Sequence, residues 1–330
     1  MRPASRRPAV GGVDRRWCRC AVALWVATMC AGAPALGQSA AEHRRLATQH
    51  LREGRDAQAE PHLRALVEDA GSVAARLQLA RLHARRGEPA AGLDVLVAAI
   101  PEAPSSEELL ITFAELALAA RAPERAVLAL EPLARMSPSV ARYPYLIGVA
   151  RMQLGDLAGA VEALERAARL EPEHALTHVA LGLLYNREKR YELAREALER
   201  ALRLQPGDLD ALAALAESAE GLDQLELAER HATLVLAQRP EHSTANLVLG
   251  MVRMKQGRFE EARDALVRAV AAEPDSPKGH YQLGLAYARL GDADASRRHL
   301  DAYREATAAI ERRAQARVGT SLAGAAEEPQ

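Results

Sequence analysis

The sequence predicts an all-α fold, a solenoid of about eight helix-turn-helix units. Two observations predict it. Pro104, Pro138, Pro172, Pro206, Pro240 and Pro274 stand 34 residues apart, a register that chance does not keep in a chain with 17 prolines. Other residue types keep the same phase, so one unit is repeated and no single cleft organises the chain. Such a build favours binding over catalysis.

The columns that share the phase assign themselves to packing. Twenty-five residues before the prolines stand Leu79, Phe113, Ile147, Leu181, Leu215 and Leu249, with Leu283 continuing the series. The next column is small: Ala80, Ala114, Gly148, Gly182, Ala216, Gly250 and Gly284. Twelve before the prolines are Gly92, Ala126, Ala160, Ala194, Ala228 and Ala262, and eight before are Leu96, Leu130, Leu164, Leu198, Ala232 and Leu266. Helices approach closely only where side chains are tiny, and a bulky intruder would cost roughly 1–3 kcal/mol.

Each unit reads as two helices. THVALGLLYNRE and YELAREALERALRL, the halves of the unit ending at Pro206, repeat apolar and small residues at three- and four-residue spacing. Gly87, Gly155, Gly257 and Gly291 share a column between the halves, and Asp156 and Asp292 follow as N-caps. Each proline closes its unit because it cannot continue a helix. The units expected are 40–72, 73–106, 107–140, 141–174, 175–208, 209–242, 243–276 and 277–310, within a repeat region 38–310. The first is slightly short and caps that end. Residues 311–330 are expected to hold the end of a charged capping helix and a disordered tail, because the last second helix outruns its unit and VGTSLAGAAEEPQ is small and polar.

This pattern resembles the tetratricopeptide repeat family. The clearest unit carries Leu181, Gly182, Tyr185, Tyr191, Ala194, Leu198, Ala201 and Pro206. Unit 243–276 matches through Leu249, Gly250, Gly257, Phe259, Ala262, Leu266, Ala269 and Pro274. The resemblance implies a right-handed superhelix whose first helices line a concave groove for a protein or peptide partner. Two departures stand out. Pro144, His178, Leu212, Asn246 and His280 occupy the column where the family often carries an aromatic. Unit 209–242 is degenerate, with Ala216, Ala219, Asp223, Ala232 and Val235 in diagnostic columns, and is expected to be a softer joint.

The N-terminal segment differs in composition. Arg2, Arg6, Arg7, Arg15, Arg16 and Arg19 precede the 17-residue apolar run AVALWVATMCAGAPALG, and Ala35 and Gly37 place small residues before Gln38. This is the layout of a secretory signal peptide over 1–37. The run is short for a span and contains Pro34, so no membrane span is expected in the mature chain; an N-terminally anchored form facing the periplasm is the alternative. Cys18, Cys20, Cys30, Trp17 and Trp25 all lie in the segment. Cleavage would remove every thiol, and with it any disulfide or cysteine-ligated metal. The segment carries +5 against −1 for the whole chain, leaving −6 for the rest. An acidic solenoid is a poor partner for nucleic acid. Lysine occurs only at 189, 255 and 278, so arginine supplies 40 of 43 basic residues. With abundant alanine, this usage points to a GC-rich bacterial genome, and export then means the periplasm or cell envelope.

The search for chemistry is nearly empty. The chain has no GxGxxG, phosphate loop, GxSxG or HExxH. His174 and His178 are four apart, but no third ligand accompanies them, and structural roles are expected. No catalytic residue, metal or cofactor is predicted.

A second apolar stripe on the first helices supplies the candidate site, in columns 27, 23 and 20 residues before each proline. It reads Tyr145, Val149, Met152; Val179, Leu183, Asn186; Leu247, Met251, Met254; and Tyr281, Leu285, Ala288, with Glu217 and Glu220 from the degenerate unit. Arg187, Lys255 and Arg289 follow as a basic edge. Such a trough suits an extended or amphipathic partner segment, and its methionines add adaptability. The plainer expectation is packing between neighbouring first helices. Some family members bind a peptide's terminal carboxylate through a basic, asparagine-rich clamp; Val149, Val179, Leu183 and Leu247 occupy the matching columns, so the resemblance does not imply that clamp. The reading is an exported, non-catalytic scaffold or assembly factor of the bacterial cell envelope. The alternative is a non-catalytic subunit of an envelope polysaccharide-synthesis or secretion complex.

Overall fold

A computed structural model of the chain describes residues 39–325, and the expected signal peptide lies outside them. Sixteen α-helices and no strand occur among the described residues. The chain divides into two compact units after Ala103. The first holds α1 (Ala40–Arg52), α2 (Asp56–Ala70), α3 (Val73–Arg85) and α4 (Pro89–Val97). The second opens with α5 (Glu107–Ala119), α6 (Pro123–Met136), α7 (Arg142–Leu154) and α8 (Leu157–Leu170). It continues with α9 (Ala175–Arg187), α10 (Tyr191–Leu204), α11 (Leu209–Gly221) and α12 (Leu225–Gln238). It ends with α13 (Ser243–Lys255), α14 (Phe259–Ala272), α15 (Pro277–Leu290) and α16 (Ala293–Ala325). Within each unit every helix packs antiparallel-fashion on its successor, joined by short turns.

Local chemistry sets the helix ends. Ser39, Ser72, Ser106, Asp208 and Ser276 cap first helices, their side chains accepting backbone N–H bonds. Asp156 and Asp292 cap second helices, accepting from Gly159 N at 3.0 Å and Ala295 N at 2.9 Å. Helices α6, α8, α10, α12 and α14 stop two residues before Pro138, Pro172, Pro206, Pro240 and Pro274. Helix α4 stops early, at Val97, because the Pro101 ring would clash with the carbonyl four residues back. In the turn between paired helices Gly87, Gly155, Gly257 and Gly291 take φ of 76°, 83°, 75° and 83°. Arg121, Lys189 and Asp223 fill the same column at 58°, 59° and 60°, where a Cβ is strained.

The packing columns form the core. Ala126, Ala160, Ala194, Ala228 and Ala262 are fully buried, as are Leu96, Leu130, Leu164, Leu198, Ala232 and Leu266. Glycine is used where paired helices approach most closely: a Cβ on Gly182 would stand 2.4 Å from Leu198 Cγ. The column without an aromatic has its own task. His178 Nε2, Asn246 Nδ2 and His280 Nε2 each donate at 2.8 Å to the carbonyl of the proline six residues earlier, Pro172, Pro240 and Pro274. These bonds satisfy an acceptor left over where each unit ends.

Unit 209–242, degenerate in sequence, is closely packed. Its alanines at 213, 216, 219, 228 and 232 are all buried, in one cluster with Val235, Ala245, Val248 and Val252. With so little bulk, α11 comes within reach of both neighbouring first helices, α9 and α13. Helix α16 runs past the end of its unit to Ala325. Extending a helix already nucleated costs little in an alanine-rich stretch.

Candidate functional site

The outward columns of the first helices fall into three stretches, and α11 separates the two apolar ones. On α7, Tyr145, Val149 and Met152 are half-buried. Tyr145 meets His174 edge-to-face at 4.9 Å, and burial holds its phenol above the ordinary value. On α9, Val179 is half-buried, Leu183 is 38% exposed and Arg187 is exposed. Tyr145, Met152 and Val179 lie against the core cluster around Leu181 and Leu184. This stretch presents apolar surface with a cation at its end.

Asn186 belongs to a joint and not to the open face. It is buried, donates from Nδ2 to Ala214 O at 2.8 Å and accepts from Ser218 Oγ at 2.8 Å. The bond ties α9 to α11.

Helix α11 carries the acids of the stripe. Glu220 is only 6% exposed, and Lys255 Nζ lies 2.8 Å from its Oε1 and 3.1 Å from Asp223 Oδ1. Burial works against the Lys255 ammonium, but the bonds to Glu220 and Asp223 outweigh it and raise its pKa. Glu217 pairs with Lys278 Nζ at 2.6 Å, an ion pair from α11 to α15 past the intervening α13. Lys255 is therefore a spent charge and not a free basic edge.

Beyond α11 the stripe is largely filled. Leu247 and Met251 are each 9% exposed, in a core cluster with Leu266, Ala269, Leu283 and Ala286, and Met254 packs half-buried against it. Burial of Leu247 and Met251 follows the plainer expectation, packing between neighbouring helices. On α15, Leu285 is half-buried, while Tyr281 is exposed with its ring 5.3 Å from that of Tyr303. Arg289 is exposed, its guanidinium 6.0 Å from the Phe259 ring.

Sequence reasoning missed the pairing of Glu217 and Glu220 with Lys278 and Lys255. A signal existed: of only three lysines in the chain, two follow the acidic columns of the degenerate unit. Among the described residues no group of three His, Cys, Asp or Glu side chains could hold a metal ion. No helix there is long and apolar enough to cross a membrane.

Comparisons with known proteins agree with this architecture. A family model described as "Tetratricopeptide repeat" matches residues 111–169 and 145–208, and one described as "TPR repeat" matches 250–291. No curated protein is significantly similar in sequence. Among solved structures, a tetratricopeptide repeat protein from Parabacteroides merdae superposes with a TM-score of 0.61 at 16% identity, over 76% of this chain and 99% of that one. The APC/C hetero-tetramer Cut9-Hcn1 gives 0.59 at 17% identity, over 79% of this chain and 52% of that one. A human IFIT1 dimer with PPP-AAAA gives 0.52 at 15% identity, over 82% and 69%. These likenesses show the shared fold, and with the family matches and the 34-residue register they make this chain an all-α solenoid of the tetratricopeptide repeat family.

Proposed function

We propose that the chain is an exported, non-catalytic scaffold or assembly factor of the cell envelope, and that it captures a protein or peptide partner on the first helices α7 and α9. The observation that carries the reading is the contrast along one stripe. Tyr145, Val149, Met152, Val179 and Leu183 leave apolar surface open beside Arg187, whereas Leu247 and Met251 are withdrawn into the core. A half-buried apolar stripe with an exposed leucine beside a cation suits an interaction site. Repeat build, absence of catalytic motifs and the expected leader support the rest, and the acidic balance after residue 37 argues against nucleic acid. Cut9 with Hcn1 shows that the fold can hold a protein partner, though that is a property of that complex.

The test separates surface from core. Leu183→Glu should abolish capture of the native envelope partner in crosslinking pull-down while leaving the melting temperature within about two degrees, because an exposed substitution costs little. Met251→Glu should lower stability by about 3 kcal/mol, because it places a carboxylate in a filled core. Undiminished capture by Leu183→Glu would defeat the reading.

A further inference from the structure

The second helices carry a repeated feature that the first-helix stripe does not explain. Helices α6, α8 and α10 end in Arg135-Met136, Arg169-Leu170 and Arg203-Leu204, each pair 34 residues from the next. Met136 is 70% exposed, Leu170 38% and Leu204 37%, so each arginine is followed in sequence by an exposed apolar side chain. Between α6 and α8, floored by Pro144 and Ile147 of α7, lies a pocket of about 330 Å³. Arg135, Arg151, Arg166 and Arg169 line it against only Glu131 and Glu162.

The guanidinium donors of these four arginines are largely unspent. None hydrogen-bonds a carboxylate among the described residues. Their ion pairs are long: Arg135 lies 3.9 Å and Arg151 3.7 Å from Glu131, Arg151 4.0 Å from Asp156, and Arg169 3.8 Å from Glu165. Arg166 donates to Pro138 O at 3.1 Å and Arg151 to Gly159 O at 3.3 Å. Some other arginines are committed to close pairs, as in Arg85–Asp56 and Arg253–Glu229, both at 2.7 Å. Cations in the last turn complement the helix dipole. That effect accounts for the arginines but not for the exposed apolar neighbour of each, nor for the pocket that Arg135 and Arg169 share.

We infer that this arginine-lined edge of α6 and α8 is a docking site for a partner protein segment in which carboxylates alternate with apolar side chains. Charge complementarity selects the occupant. The planar guanidinium fork takes a carboxylate in bidentate fashion, and the apolar pocket wall of Ala134, Pro144, Ile147 and Ala163 takes the apolar residue beside it. The site lies on the Pro144–Ile147–Arg151 side of α7 and not on its Tyr145–Val149–Met152 side, so it is a second surface, separate from the one proposed above.

A fluorescently labelled peptide of interspersed glutamate, leucine and glycine, titrated with the full chain, tests it. Arg135→Gln with Arg169→Gln should weaken binding about tenfold or more, the loss expected for charge-assisted contacts. These side chains are 73% and 68% exposed, so circular dichroism should be unchanged. Arg230→Gln, on α12, and Leu183→Glu should bind as the parent does, which keeps this site distinguishable from the first-helix face. The glutamine version of the peptide should not bind. Equal weakening by Arg230→Gln, no effect of the double variant, or binding only to vesicles of phosphatidylglycerol in phosphatidylcholine would overturn the inference.

Discussion

Single residues carry two strains that the repeat does not need. The turn between paired helices demands a left-handed residue, yet Arg121 and Lys189 supply it with φ of 58° and 59°. Replacing either by glycine should raise stability by about 0.5–1 kcal/mol, the αL penalty less the extra chain entropy of glycine. Urea midpoints of Arg121→Gly, Lys189→Gly and the pair should add, since distant sites are independent. Histidines carry the second strain. Burial holds the imidazoles of His178, His231 and His299 below their ordinary value. As pH falls below about 6.5 the unfolded chain therefore takes up protons first, so this stability is full above that value and lost on the way to the depressed folded values. Asn246 makes the same bond to its proline carbonyl without titrating. His178→Asn should thus keep its stability near neutrality and lose less of it between about pH 7.5 and about pH 5.5. An unchanged pH slope in urea melts would contradict the assignment. The missing aromatic at His178, Asn246 and His280 was legible as an anomaly; its use was not, because the carbonyl it meets comes into reach only once the chain has turned.

Among the elements, α11 behaves least as its composition suggests. Alanines in diagnostic columns read as weakness, because each buries less apolar area than the leucine it replaces. The structure uses the saved volume to bring first helices together, and then has to neutralise Glu220 in a nearly dry place. Lys255→Met should therefore cost about 2–3 kcal/mol by stranding that carboxylate, and adding Glu220→Gln should recover most of it. Lys278→Met should cost under about 1 kcal/mol, since its pair with Glu217 is partly exposed and screened. Equal losses for the two lysine variants, read from urea midpoints, would refute this division. Stripe periodicity placed Glu217 and Glu220 on the same face as Leu183 and Leu247, but a periodic reading treats every first helix alike and cannot register that one sits closer to its neighbours.

At the scale of the molecule, a repeat stack draws its stability from each unit and its immediate neighbours. The core clusters around Leu181, Ala216 and Leu266 are each built within residues 104–325. A fragment of 104–325 should consequently fold alone, with full helical circular dichroism and a cooperative melt; a non-cooperative melt would show that it needs residues outside it. The amino-acid sequence by itself determined the unit length, the helix pairs, their caps and the columns that must pack, because these depend on local backbone chemistry and on a period of 34 residues. Only the tertiary structure decided which parts of the outward stripe of the first helices stay open. That outcome depends on how closely α9, α11, α13 and α15 approach, a distance set jointly by alanines and by lysine–glutamate pairs that join helices up to 61 residues apart.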